Sequence, residues 1–290
     1  MPEAYYKYMS YSTAEIVLKN QTLRWTTPAT LNDPYDIQFD LRIDFDRKAA
    51  LELTIEKFWE IIQGKVQCSI NSPMHTVTPI LKLRYKDHSK EDFTLAITDG
   101  ILESFASLEK NITRTREDTR AILSSVKILC LTDSPDNQLM WAYYADSNKG
   151  IVLKFENVAE LDSPYKTAKP INYSNEVPML FDEEGISNTL TGLTRTDPHE
   201  IFNTLLYTKS AAWSHEREWR ICSGDGRNKD APHEDIRFGS RELTGVIFGC
   251  RTPNDHKHLL SEIVKKSYPH AQLLQAAPIS HSYELEIVKL

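Results

Sequence analysis

Three short, almost uninterrupted apolar runs constrain this chain most: "KILCLT" at 127–132, "GIVLKF" at 150–155 and "TGVIF" at 244–248. Runs this brief and this apolar are buried strands rather than helix faces. Further strand candidates are "AYYKYM" at 4–9, "TLRWTT" at 22–27 and the closing "HSYELEIVKL". Both hairpin-sized and helix-sized gaps separate them. That spacing predicts an α+β fold with an antiparallel or mixed β-sheet core and a helical layer, and it disfavours a doubly wound parallel sheet. From about residue 46 to 125 the apolar residues fall at helical spacing, as in "ALELTIEKFWEIIQGK". A single α+β domain with a mostly helical insertion there is expected. Ser12 with Glu15 reads as a capping box opening a helix, and Asp197 before Pro198 as the start of another, "DPHEIFNTLLYTKSAAW".

Composition narrows the function classes. The formal charge of −7 over 290 residues argues against an extensive nucleic-acid surface. A short single-stranded segment held by aromatic rings is still compatible with it. With 10 glycines, no G-x-G-x-x-G and no Walker loop, dinucleotide-binding Rossmann and P-loop folds are disfavoured. The four cysteines are far apart and form no C-x-x-C, so neither a disulfide framework nor a cysteine zinc site is expected. His256 and His258 lie two apart on a helical stretch and do not share a face, so no metal site is expected. The first residues lack a basic region followed by an apolar run, and no apolar run reaches about 18 residues. No signal peptide or membrane partner is expected, and a cytoplasmic location is the simplest reading.

The segment "WSHEREWRIC", Trp213 to Cys222, reads as a strand with an unusual charge load. Period two places Glu216, Glu218 and Arg220 on one face. Two carboxylates that close repel unless a cation compensates, and Arg220 is the candidate. The face is either a solvated Glu–Arg ladder on an edge strand or a carboxylate pair lining a cleft. In "LMWAYYAD", Tyr143 and Tyr144 beside Trp141 suit a flat ligand held by stacking and a hydrogen bond, or else a core cluster under a loop. Near the N-terminus Tyr6, Lys7 and Tyr8 lie on the first strand, and Trp25, Thr26 and Thr27 end the second. Asn32 and Asp33 open a turn before Pro34. Polar groups at strand ends serve binding sites and plain turns alike.

Taken in order, "YYKYMS", "LNDPYD", "LMWAYYADSNKG" and "KSAAWSHEREWRI" resemble a mostly uncharacterised bacterial domain family. Its marks are a Tyr-Lys-Tyr strand, N-D-P-[FY]-[DE], L-M-W-x-x-Y-A-D and K-x-x-x-W-x-x-E-x-E-W-R. The same order is similar to that of ADP-ribosyltransferases. This resemblance implies an ADP-ribosyltransferase-like sheet and NAD as co-substrate. By this resemblance the NAD-contacting positions fall on Tyr6, Lys7 and Tyr8 and on Trp25, Thr26 and Thr27. Beside them Tyr143 and Tyr144 are expected to hold the nicotinamide ring, and Asn32 and Asp33 to order the loop that closes the NAD cleft. Glu218 becomes the catalytic glutamate, with Glu216 leading the pair. At the first strand this chain departs from the usual Arg or His.

The chemistry implied is cleavage of the nicotinamide–ribose bond through an oxocarbenium-like state, which a nearby carboxylate stabilises. The resemblance implies a bacterial toxin or anti-phage defence effector acting on RNA, DNA or protein, with an antitoxin protein as a further partner. The alternatives are a non-enzymatic sensor or interaction module of the same kind of system, or a carboxylate-dependent hydrolase.

Overall fold

The computed structural model describes residues 1–195 and 197–290. The chain forms two compact units. The first comprises Met1–Gln38, Leu123–Asn175 and Tyr207–Leu290; the second comprises Phe39–Ile122 and Glu176–Leu206. Among the described residues no helix is long and apolar enough to cross a membrane.

The first unit is built on a mixed, mostly antiparallel sheet, as the dispersed short strands predict. Strands follow one another in the order His233–Arg237, Thr22–Thr26, Ile128–Thr132, Ala4–Met9, Ile151–Glu156, Leu243–Phe248, Gln272–Pro278 and Leu285–Lys289. One neighbouring pair, Leu243–Phe248 with Gln272–Pro278, is parallel, and the helix Asn254–Ser267 connects it. The three apolar runs that announced the fold lie inside this sheet. Ile151, Val152, Leu153, Phe155, Val246 and Phe248 are fully buried.

The site is positioned by a fork in this sheet. One edge of Ile128–Thr132 pairs over its whole length with Glu218–Cys222, from Glu218 opposite Thr132 to Cys222 opposite Ile128. The other edge is shared. Ala4–Met9 meets it at Thr132 through Tyr6, and Thr22–Thr26 meets it at Ile128 through Thr26. The two strands therefore diverge from opposite ends of one edge. The Cys130 carbonyl between them is satisfied by the Lys7 ammonium, which donates to it at 2.7 Å.

The helix Tyr11–Asn20 joins the two diverging strands and buries Ala14, Val17 and Leu18. Its cap is Ser10, whose hydroxyl accepts from the Thr13 amide, rather than the expected Ser12. The helix begins early because the first strand ends at Met9 and leaves Ser10 extended. A sharp turn follows the helix Gln138–Tyr144. Asp146, Ser147 and Asn148 all have positive φ, and a Cβ on Gly150 would lie 2.3 Å from the Met9 carbonyl oxygen. Only glycine fits there.

In the second unit, helices Arg47–Ile62, Met74–Tyr85 and Lys90–Leu123 occupy the stretch expected to be helical. Asp46 and Asp182 cap Arg47–Ile62 and Glu183–Thr191. Ile55, Ile101, Phe105, Phe181 and Ile186 form the core of this unit.

Candidate functional site

A cavity of about 260 Å³ opens at the fork. Tyr6, Lys7 and Tyr8 line it from one diverging strand, Arg24 and Thr26 from the other, and Ile128, Cys130, Leu131 and Thr132 between them. The loop after Thr26 adds Asn32 and Asp36, the helix Gln138–Tyr144 adds Tyr144, and Lys209, Glu216 and Glu218 complete the wall.

The last three come from a segment whose local structure differs from the single strand expected through Trp213–Cys222. Lys209 lies on a short strand, Thr208–Ser210, paired parallel with Asn172–Ser174. A 3-10 turn, Ala211–Glu216, follows, and the strand starts only at Glu218. Arg217 between them is left-handed, with φ 47°. The His215 carbonyl accepts from the Asn137 amide at 2.6 Å, which ties the turn to the neighbouring helix cap. Glu216 and Glu218 thus converge because the chain bends, not because they share one pleated face.

Together these residues form a buried ionic cluster. The Lys209 ammonium lies 2.6 Å from Glu216 Oε2, 3.1 Å from Glu218 Oε2 and 3.4 Å from Asp36 Oδ2. Arg220 donates through Nε to Glu218 Oε1 at 2.7 Å, and through Nη2 to Glu218 Oε2 at 3.0 Å and Asp36 Oδ2 at 2.5 Å. The Tyr144 hydroxyl donates to Glu216 Oε1 at 2.5 Å and accepts from the Asn32 amide at 2.7 Å. The Tyr173 hydroxyl accepts from the Glu218 amide at 2.8 Å. Trp213 places its ring 5.1 Å from the Lys209 ammonium. Lys209, Glu216, Glu218, Arg220 and Asp36 are each at most 5% exposed. Three carboxylates face two cations, so the cluster carries one formal negative charge in excess.

Burial alone would raise the Glu218 carboxyl. The Arg220 charge and hydrogen bonds, with Lys209 beside them, outweigh burial and hold it at about 2. Burial would likewise lower the Lys209 ammonium, but Glu218, Glu216 and Asp36 outweigh it and raise the group above the ordinary lysine value. Burial, then the hydrogen bond to Glu216, pushes the Tyr144 phenol up, so it acts as a donor. Burial pushes Tyr173 up to about 12. At neutral pH, then, Glu218 is ionised, Lys209 is charged and both phenols keep their protons.

The structure brings together Tyr6, Lys7, Tyr8, Thr26, Asn32, Tyr144, Glu216 and Glu218. Trp25, Thr27, Asp33 and Tyr143 lie elsewhere, outside the cavity lining. On the strand Thr22–Thr26 alternation sends Trp25 into the core while Arg24 and Thr26 face the other way. Thr27 is buried, its hydroxyl on the Pro232 carbonyl. Asp33 accepts from the Tyr35 amide at 2.9 Å, an Asx turn that shapes the loop. Tyr143, next to Tyr144 on a helix, points outward, is 66% exposed and meets His215 edge-on.

Two cavity residues of the ionic cluster are not evident from the sequence, although both stand in the motifs. Asp36 is the final acidic residue of "NDPYD", and Lys209 is the lysine that opens "KSAAWSHEREWRI". The fixed spacing of Lys209 from Trp213, Glu216 and Glu218 is the signal that points to it.

Residues 140–221 match the model of a family described as "Protein of unknown function (DUF2971)". The matched segment runs from the helix bearing Tyr144 to the strand bearing Glu218 and Arg220. This agrees with the expected likeness to an uncharacterised domain family. No curated protein and no solved structure matches the chain.

Proposed function

We propose that the chain is an NAD-consuming enzyme with an ADP-ribosyltransferase-like fold, cleaving the nicotinamide–ribose bond in the cavity at the sheet fork. The observation that carries this reading is the pairing of Glu216 and Glu218 on one lysine at the wall of that cavity, with Glu218 held ionised. A carboxylate that stays charged at neutral pH suits charge stabilisation better than proton donation.

In the step proposed, the bond between the ribose C1′ and the nicotinamide nitrogen breaks. Its electron pair goes to the nitrogen, and nicotinamide leaves neutral. Positive charge passes to the ribose, opposite Glu218. An oxygen or nitrogen of the acceptor then attacks C1′ and releases its proton to Glu216, which Tyr144 and Lys209 hold in place. The acceptor is RNA, DNA, protein or, for simple hydrolysis, water. At about 260 Å³ the cavity is near the lower end for small-molecule sites. It suits the nicotinamide–ribose half of NAD, with the adenosine half outside.

A second reading has its own support. Both oxygens of Glu218 are already bonded by Arg220 and Lys209, so the cluster also fits a brace inside a non-catalytic binding module. Nicotinamide release from NAD, with calorimetric NAD binding alongside, separates the two. Release that depends on Glu218 supports the enzyme. Binding without release supports the module, and neither binding nor release removes NAD from both.

A further inference from the structure

The ionic cluster is complete except at one atom. Asp36 lines the cavity and is 2% exposed. Its Oδ2 accepts from Arg220 at 2.5 Å and lies 3.4 Å from Lys209. Its Oδ1 is buried with no hydrogen-bond partner among the described residues. Buried carboxylate oxygens in folded proteins are nearly always bonded, and an empty one costs much of its desolvation. An unpartnered carboxylate oxygen accepts hydrogen bonds, so the missing partner is an N–H or O–H.

Position narrows which donor. One guanidinium nitrogen, Arg220 Nη2, bonds both Asp36 Oδ2 and Glu218 Oε2. The two carboxylates therefore sit on either side of a single nitrogen. In a ligand whose reacting ribose carbon faces Glu218, the sugar hydroxyls are the donors nearest that carbon, and Asp36 is joined to Glu218 through the shared Arg220 nitrogen. The nicotinamide carboxamide lies farther out on the ring.

We propose that Asp36 is a substrate-contacting residue whose Oδ1 accepts a hydrogen bond from a hydroxyl of the ribose undergoing cleavage. The assignment rests on the NAD-cleavage reading and deepens it: Asp36 makes the site selective for a hydroxylated sugar. A resident water is the competing occupant of Oδ1, and it predicts no such selectivity.

The test compares wild type, Asp36→Asn and Asp36→Ser on three probes. These are NAD and its analogues lacking the 2′- or the 3′-hydroxyl of the nicotinamide ribose. Nicotinamide release and calorimetric binding are read for each, with melting curves as the folding control. Deoxygenation alters the intrinsic reactivity of the sugar, so the quantity that counts is the wild-type-to-variant ratio for each probe. A hydrogen bond to a charged group corresponds to about tenfold or more. We expect the variants to lose about that factor on NAD and on one analogue, and far less on the analogue that lacks the contacted hydroxyl. Two variants of different size keep the comparison open if one of them fails to fold. Equal losses on all three probes, as a permanent water would give, or no loss on any, overturn the assignment alone. A wild type that neither binds nor cleaves NAD overturns the assignment and the reading beneath it together.

Discussion

Arg220 holds both oxygens of Glu218, through Nε on Oε1 at 2.7 Å and through Nη2 on Oε2 at 3.0 Å. The two residues are i and i+2 on one strand, so the pleat sets them on the same face. Arg220 is fully buried and Glu218 nearly so. A buried ion pair of this kind is weak evidence for net stability, yet breaking it from one side is costly. The catalytic role proposed for Glu218 and a structural role are thus superimposed on one side chain, and stability and turnover report on them separately.

Glu218→Gln removes the charge and leaves a buried guanidinium with less compensation. We predict a loss of about 3 kcal/mol in folding stability, at the low end for a broken buried pair because the amide oxygen still accepts. If Glu218 steadies the ribosyl cation, nicotinamide release falls about 10²–10³-fold as well. Urea unfolding and turnover on the same preparation check both. A variant as stable as wild type shows that the ion pair contributes little.

The depressed Glu218 carboxyl also sets an acid limit. It falls from the ordinary glutamate value of 4.5 to about 2 in the folded chain. The stability it contributes is therefore present above pH ~4.5 and is lost as pH falls from there toward 2, amounting to roughly 3 kcal/mol. Urea unfolding across that window should show stability falling with acid in wild type, and a shallower fall in Glu218→Gln. Parallel curves for the two proteins argue against Glu218 as the linked group.

Lys209→Met takes out the cation shared by Glu216, Glu218 and Asp36. Three carboxylates then face Arg220 alone. We predict a loss of about 3–5 kcal/mol at pH 7. Part of it should return near pH 5, because crowded carboxylates are easier to protonate once their lysine is gone. Melting temperatures of variant and wild type at both pH values test this; a gap that widens on acidification contradicts it.

Asn32, Tyr144 and Glu216 form one hydrogen-bonded chain, with Asn32 donating to the tyrosine and the tyrosine to the glutamate. Asn32→Ala and Tyr144→Phe should each lower turnover. The double variant should be little worse than Tyr144→Phe, since Asn32 acts through that hydroxyl. The neutral Asn32–Tyr144 bond is worth about 1 kcal/mol and the Tyr144 bond to the Glu216 carboxylate about 1.5–3 kcal/mol, so Asn32→Ala should leave folding nearly unaffected while Tyr144→Phe costs more. Additive losses in a double-mutant cycle would show that the residues act independently.

Gly100 sits exposed within the helix Lys90–Leu123, and a Cβ placed there meets nothing within 4 Å. Gly100→Ala should therefore stabilise the protein by up to about 1 kcal/mol, from helix propensity alone. Urea unfolding checks it, and a destabilised variant would mean that the helix needs the glycine for a partner's approach.

Much of the site is legible because its residues stand in short motifs, and four such motifs supply much of the cavity wall. Direction is what the motifs do not show. "WTT" reads as a block, but alternation sends Trp25 inward and Thr26 to the cavity. Tyr143 and Tyr144 look equivalent, but consecutive helical residues point about 100° apart, so one is exposed and one bonds Glu216. Lys209 is hidden in a stretch that reads as continuous helix from Asp197 to Trp213. The helix stops at Tyr207, and a short strand carries the lysine.

The local pattern by itself determined the fold class, the buried strands and the stretch given over to helices. Each of these follows from apolar periodicity within a few residues, and that is a property of the chain alone. Tertiary structure decided the rest. Asp36 and Arg220 are 184 residues apart, and only the fork in the sheet brings them within 2.5 Å. The left-handed turn at Arg217 lets Glu216 and Glu218 share Lys209. The charge state of Glu218 depends on that arrangement, because burial and ion pairing act in opposite directions and only the distances show which is stronger.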